Sequence, residues 1–273
     1  MMMNYFRTMC LAYLILEIRQ SLNRNIHLMS PTLPQRTALR DKPLDQPVVM
    51  HQRWEDLLFL HWAWDAAEIQ KRLPRGLHVD IFEGKAWIAI VPFAMRGIRP
   101  RFCPPVTGIS DFLEMNLRTY VHDDQGNPGV WFDSLECDQA LAVWTARTLF
   151  HLPYQHAKMS LTKSKDGLIH YCSKRRGDAH TAEFRYRLKE RTRLAEPGTL
   201  EFFLAERYLL FAHTPRGLRT GRVHHAPYPL VEVELESWDA DLFRLNGYAV
   251  PTRPPDHVIG SPGVVVTVYP LTA

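Results

Sequence analysis

The side chains best suited to chemistry lie in the stretch FLEMNLRTYV. Side chains of a strand point alternately to its two faces, so Glu114, Asn116, Arg118 and Tyr120 share one face. Leu113, Met115, Leu117 and Val121 share the other with Thr119. The first row holds a carboxyl that can pass a proton, a guanidinium whose shape matches a carboxylate, an amide and a phenol. From this strand alone a solvated outer face with ordinary cross-strand ion pairs is the simpler reading, and an internal polar site is the alternative. A second group lies in AERY, where Glu206 and Tyr208 fall on one face if a strand begins there and would add a carboxylate and a phenol. Equally, Glu206 and Arg207 can tie loops together as ion pairs.

Other reactive residues assemble less well. Among 13 histidines no pair has metalloprotease spacing, and the adjacent His224 and His225 would point to opposite faces of a strand. His225 reads as a turn-stabilising residue. No pattern brings together the three or four ligands of a zinc site, so no metal is expected. There is no glycine-rich phosphate loop and no nucleophile elbow. Trp62, Trp64, Trp87 and Trp131 read as core fillers. Arg185, Arg187, Lys189, Arg191 and Arg193 share one parity, opposite Phe184, Tyr186 and Leu188. Glu232, Glu234 and Glu236 lie opposite Val231, Val233 and Leu235 in the same way. Two such rows side by side would pair and fix register; far apart, the basic row would be free to bind an anion.

The elements that must hold these residues are mostly strands. Short segments with strand patterning recur at 57–64, 87–93, 112–122, 130–137, 159–162, 169–174, 182–188, 208–213, 221–225, 231–237 and 264–269. Helical spacing is confined to 66–71, 139–150, 200–205 and 240–245. The loop DDQGNPG marks the clearest hairpin, between 112–122 and 130–137. A mainly antiparallel sheet system follows.

The 273 residues, 46% of them hydrophobic, can bury one large core. The expected organisation is a poorly ordered leader over 1–50, with a possible short helix, and one folded body over 51–273. The apolar run at 9–18 is too short to span a bilayer and contains Glu17, and Met29 is a candidate true start. A net charge of +4 on 33 basic and 29 acidic residues gives no reason to expect nucleic acid as a partner. Cys10, Cys103, Cys137 and Cys172 form no C-x-x-C pair and read as reduced thiols of a cytoplasmic protein without disulfides.

The segments WEDLLFLHWAWD, LPRGLHVDIFEGKAWIAIVPFAM, FLEMNLRTYV, PGVWFDSLE, ALAVWTARTLFHLPYQHAKM, LAERYLLF and HHAPYPL occur in an order that resembles the YqjF-like family. That family of unknown function is placed in the acetoacetate-decarboxylase-like superfamily. The resemblance implies a closed, cone-like antiparallel β-barrel with a central cavity and helices outside. It also shifts the reading of Glu114, Asn116, Arg118 and Tyr120 toward the lining of that cavity. Acetoacetate decarboxylases attack their substrate with a lysine whose pKa is lowered by its surroundings, next to a second lysine. Here Arg147 and Glu114 fall at an arginine and an acidic position of that pattern, whereas Tyr154 and Gln155 stand where the two lysines would be. A phenol and an amide form no imine. Lys158 lies four residues past Tyr154, at a different strand position.

The resulting expectation is a pocket for a small organic molecule bearing a carboxylate or carbonyl, needing no cofactor and touching no membrane. Glu114 and Tyr154 are the candidate catalytic pair, with Asn116, Arg118, Tyr120, Arg147, Glu206 and Tyr208 as substrate-binding candidates. Acid/base chemistry of lyase, isomerase or hydratase type would suit them, and a homodimer is the expected assembly. The rival is a non-catalytic binding or structural protein whose polar interior is only a hydrogen-bonded network. The volume of the interior separates the two.

Overall fold

A strand buried on both faces reads as a near-continuous hydrophobic run, and the chain supplies two, LLFL at 57–60 and AWIAIVPFAM at 86–95, that pair side by side. The computed structural model describes residues 30–273, so the apolar run at 9–18 lies outside the described residues. The described chain runs α1 (Leu33–Ala38), β1 (Met50–Trp64), α2 (Ala66–Gln70), β2 (Leu77–Val79), β3 (Ala86–Pro100) and β4 (Phe112–Asp123). It continues through β5 (Pro128–Cys137), α3 (Ala140–Leu149), β6 (Tyr154–Lys163), β7 (Ile169–Arg175), β8 (Ala182–Leu188) and α4 (Leu200–Ala205). β9 (Leu209–Thr214), β10 (Gly217–His224), β11 (Val233–Ser237), α5 (Asp241–Leu245) and β12 (His257–Val268) complete it.

Pairing passes from β5 through β9, β10, β12, β1, β3 and β4 and returns to β5, which makes a ring of seven strands. A branch leaves β5 through β6, β7 and β8 to β11. The antiparallel expectation holds except at β5, where β6 and β9 both pair parallel, β9 at Val130 and Trp131 and β6 at 135–137. The reason is connectivity. The helical stretch ALAVWTARTL crosses over from the end of β5 to the start of β6, and a helical crossover returns the next strand in the same direction.

Alternation along β1, β3 and β4 sorts their side chains into two cores. Phe59, Trp87, Ala89, Val91 and Phe93 face the inside of the ring. Leu58, Leu60, Trp62, Ile88, Ile90, Leu113, Met115 and Leu117 pack outward against Tyr171, Phe184 and Tyr186 of the branch and against Phe243. The two charged rows of the sequence do meet: β8 pairs with β11, and Glu234 lies opposite Arg187. Arg187 reaches Glu234 at 3.2 Å, Lys189 reaches Glu234 at 2.9 Å and Arg185 reaches Glu236 at 3.2 Å. Arg185, Arg187 and Lys189 of the basic row thus belong to a paired outer face.

Two features add to the sequence reading. Within the expected leader, Thr32 and Gln35 form a reciprocal capping box that starts α1, a T-x-x-Q signal that was legible in the sequence. Arg36 of that helix bonds the buried Asp80 through both guanidinium arms, at 2.7 and 2.6 Å. The strand at 57–64 begins seven residues earlier, at Met50, because a register shift between Glu55 and Leu60, with Asp56 at φ +52°, interrupts its alternation.

Opposite that irregularity Gly263 pairs with Glu55 at φ +143°, and a Cβ there would lie 2.2 Å from the Trp54 carbonyl oxygen. Both the backbone angle and the contact demand glycine. Gly263→Ala is expected to cost at least about 1 kcal/mol, read as a lowered midpoint in thermal unfolding.

Candidate functional site

β4 decides between a solvated face and an interior one, because both of its faces are covered. Glu114, Asn116, Arg118 and Tyr120 are 3%, 4%, 8% and 0% exposed, and they turn away from the outward-packing Leu113, Met115 and Leu117. Inside the ring lies a cavity of about 460 Å3. Every strand of the ring lends it a wall: Trp54 on β1, Met95 on β3, Phe112 on β4, Phe132 on β5, Leu209 on β9, Val223 on β10 and Val268 on β12. Val106 and Ile109, before β4, and Leu141 of α3 line it where they are themselves partly exposed. Against this apolar wall stand Glu114, Arg118, Tyr154, Arg207, Tyr228 and Tyr269.

The Glu114 carboxylate accepts a hydrogen bond of 2.6 Å from the Tyr154 hydroxyl. Tyr154 is the first residue of β6 and pairs with Leu135, so the parallel junction brings this phenol to β4. From the outer side the Tyr171 hydroxyl donates to the backbone oxygens of Glu114 at 2.8 Å and Phe93 at 3.3 Å, which fixes β4 where its carboxyl is needed. Burial pushes the Glu114 pKa up to about 7, against smaller downward pulls from its hydrogen bonds with Tyr154 and Asn116. Burial and the neighbouring Glu114 carboxylate hold the Tyr154 phenol well above its usual range, so it remains a donor.

Arg118 has no carboxylate partner among the described residues. Its Nη2 donates to the Leu204 carbonyl at 3.2 Å and, at 3.4 Å, to the Tyr120 hydroxyl, and its Nε has no partner among the described residues. Arg207 behaves differently. Its Nη1 is 2.7 Å from Asp80 Oδ2 and its Nε donates to the Phe203 carbonyl at 2.6 Å. Burial alone would raise the Asp80 pKa, but Arg207 and Arg36 outweigh it and hold the carboxyl below its usual value. Asp80 is thus shared by Arg36 and Arg207, whereas Arg118 is a buried guanidinium with no carboxylate beside it among the described residues.

The other expected site residues are placed as follows. Asn116 lies beside Glu114 with its Oδ1 unpartnered among the described residues. Tyr120 is not in the cavity wall, because its hydroxyl is 2.9 Å from His61 Nε2, which in turn meets His257. Glu206 and Tyr208 also fall outside the wall: the Tyr208 hydroxyl donates to Glu206, which also takes the Tyr228 backbone N–H at 3.1 Å and faces Arg40 at 3.5 Å. This carboxylate is consumed by structure. Arg147 does not reach the cavity either: α3 lends Leu141, Ala142, Thr145 and Ala146 to its wall, whereas Arg147 turns to the start of β6. There Arg147 donates to the Tyr154 carbonyl at 2.5 Å and to the Gln155 side chain at 3.0 Å, so it holds the segment that carries Tyr154. Lys158 is exposed on the outer face of β6, and no lysine among the described residues lines the cavity. Arg207, Tyr228 and Tyr269 are wall residues that sequence reasoning did not assign to the site. His225 stacks on Tyr208 at 4.7 Å and its Nδ1–H donates to the Ala226 carbonyl at 2.8 Å, and burial lowers its pKa to about 4, so it is neutral.

The ring of strands around an inner cavity has the arrangement of an acetoacetate-decarboxylase-like fold. Acetoacetate decarboxylase from Legionella pneumophila subsp. pneumophila superposes with a TM-score of 0.55 at 13% identity, over 85% of this chain and 91% of that one. The enduracididine biosynthesis enzyme MppR, solved in complex with pyruvate, superposes with a TM-score of 0.53 at 15% identity, over 85% of this chain and 91% of that one. Identities this low show the shared fold. By sequence, residues 51–265 match the family DUF2071, described as an uncharacterized conserved protein, and the chain belongs to that family. The uncharacterized protein YqjF of Bacillus subtilis (strain 168) is 38% identical over 208 residues, which is 76% of this chain and 85% of that protein.

The Glu114 environment gives a prediction with a definite sign. Its folded-state pKa of about 7 exceeds the ordinary 4.5, so the folded chain holds more protons than the unfolded chain between these values. That contribution to stability is full below about 4.5 and is lost as pH rises to about 7, an interval worth about 3 kcal/mol. Asp133, which burial also raises to about 7, adds a slope of the same sign in any variant that keeps it. Urea unfolding across this window is therefore expected to show wild type losing about 3 kcal/mol more than Glu114→Gln.

Proposed function

We propose that the ring is a closed barrel whose lumen binds an organic acid with an apolar body, and that Glu114 exchanges a proton with it. One observation carries this reading: Arg118 is a buried guanidinium in the cavity wall with no carboxylate beside it among the described residues. An uncompensated buried charge is costly, and a ligand carboxylate is the simplest group that would neutralise it through paired N–H donors. The volume of about 460 Å3 falls in the range of roughly 300–1,000 Å3 of small-molecule sites, which speaks against an interior filled by its own side chains. The wall between the polar groups is hydrocarbon, so the part of the ligand away from its carboxylate is apolar.

Glu114 and Arg118 are four residues apart on one face of β4, about 13 Å along the strand. A ligand held at its carboxylate by Arg118 extends toward Glu114, and a carboxyl with pKa near 7 can both give and take a proton at neutral pH. Tyr154 steadies the ionised form through its hydroxyl. Acid/base chemistry at a carbon activated by a carbonyl, of lyase, isomerase or hydratase type, suits this pair. Imine chemistry does not, because Tyr154 occupies the wall where a nucleophilic amine would be needed. That a protein of the same fold was solved with pyruvate, a small keto acid, agrees with the ligand class.

The test is a thermal-shift series of 2-oxo and hydroxy acids of increasing chain length, each beside its methyl ester. Acids are expected to stabilise and esters not to. Arg118→Met is expected to weaken acid binding about ten- to hundredfold, the equivalent of the 1.5–3 kcal/mol typical of a hydrogen bond to a charged group. Glu114→Gln is expected to keep binding and to abolish solvent deuterium exchange into the bound 2-oxo acid. Equal response to acid and ester, unchanged in Arg118→Met, would refute the proposal.

A further inference from the structure

On the outer face of the branch, away from the ring cavity, β7 and β8 bring an imidazole, a thiol and a carboxylate together. His170 and Cys172 are two apart on β7 and so share a face, and Glu183 of β8 is the register partner of Cys172. The donor atoms His170 Nε2, Cys172 Sγ and one Glu183 oxygen all lie within 4.8 Å of one another. We propose that His170, Cys172 and Glu183 form a site for a borderline-soft divalent cation of the Zn2+ type.

Two of the three donor separations match those of tetrahedral coordination. Bond lengths of about 2.0–2.1 Å to nitrogen and oxygen and about 2.3 Å to sulfur place the N and S corners about 3.6 Å apart and the N and O corners about 3.3 Å apart. Here His170 Nε2 is 3.3 Å from Cys172 Sγ and 3.4 Å from Glu183 Oε2. As an ion pair the second contact is long, since charge-assisted bonds settle near 2.7–2.9 Å, and one imidazole nitrogen serves two acceptors poorly. A cation on the open side satisfies all three groups at once. Nitrogen, thiolate and carboxylate donors together favour zinc over magnesium or calcium, which prefer all-oxygen shells.

The surroundings fit this use. Burial raises the Cys172 pKa, and Ser160 of β6, its register partner, opposes this more weakly through a hydrogen bond to the sulfur. Arg185, the register partner of His170, would repel a cation, but it is turned to Glu236 at 3.2 Å. Glu183 is more than half exposed, so the fourth corner opens to water or an anion. Binding breaks the S–H bond of Cys172, releases that proton to solvent and forms the metal–thiolate bond, with no electron transferred. Such a clip joins β7 to β8 and depends on nothing in the ring cavity.

Co2+ reports the site directly, because a thiolate bound to it gives a near-ultraviolet charge-transfer band. The full chain carrying Cys103→Ser, which removes the exposed thiol among the described residues, and Cys10→Ser is titrated anaerobically with Co2+ and then Zn2+. The expected result is a band saturating at one Co2+ per chain, bleached by Zn2+, and a rise in unfolding midpoint with Zn2+. Adding Cys172→Ser is expected to remove the band, and His170→Ala or Glu183→Gln to weaken binding at least tenfold. No band, or a band that survives Cys172→Ser or is indifferent to both other changes, overturns the proposal. His170 and Cys172 are partly exposed and Glu183 is exposed, and circular dichroism of each metal-free variant is the check that it folds.

Discussion

The interior placement of a charged strand face is the constraint on which the rest of this structure depends. β4 has hydrocarbon packed against one face and the inside of the strand ring against the other, so its alternate side chains have nowhere to go but inward. Burying Glu114 and Arg118 there is expensive, because each loses hydration worth several kcal/mol. The carboxyl meets that cost by taking up a proton, with its pKa pushed up to about 7. The guanidinium cannot shed its proton at any ordinary pH. It needs a negative partner, and the fold withholds one.

Arg207 shows that the protein can neutralise a buried guanidinium where structure requires it. Asp80 lies between Arg207 and Arg36, and this cluster ties α1 to β2 and to the residues entering β9. Glu206 likewise is spent on Tyr208, the Tyr228 backbone and Arg40. Two buried carboxylates close to the cavity thus serve structure, while the two charged groups of β4 that face the cavity remain uncommitted to any ion pair among the described residues. This division separates scaffold from site more sharply than burial does.

Much of this was legible in the sequence, and the failures have physical causes. Parity alone put Glu114, Asn116, Arg118 and Tyr120 on one face, but a single strand does not reveal whether that face meets water; only the resemblance to a ring-like fold turned it inward. The same resemblance brought Tyr154 to Glu114, a contact that depends on the parallel return of β6 and has no local signal. Arg147 was misplaced because matching a family position says which helix a residue sits on and not which way the helix faces. Glu206 and Tyr208 do come together, but as each other's partners. The trio His170, Cys172 and Glu183 was invisible for a related reason: the i, i+2 spacing on β7 means little until pairing with β8 supplies the third donor. Long-range register is the information a lone sequence reading lacks.

A chamber built for an anion and a chamber braced by its own polar network differ in what Arg118 does when nothing is bound. The most direct measurement is the unfolding midpoint of ligand-free Arg118→Met against wild type. If the guanidinium is an uncompensated charge kept for a ligand, replacing it with a thioether of similar length leaves the midpoint unchanged or raises it. If instead Arg118 holds the interior together through Tyr120 and Leu204, the midpoint drops by about 6 °C or more, and the case for a carboxylate-binding lumen fails.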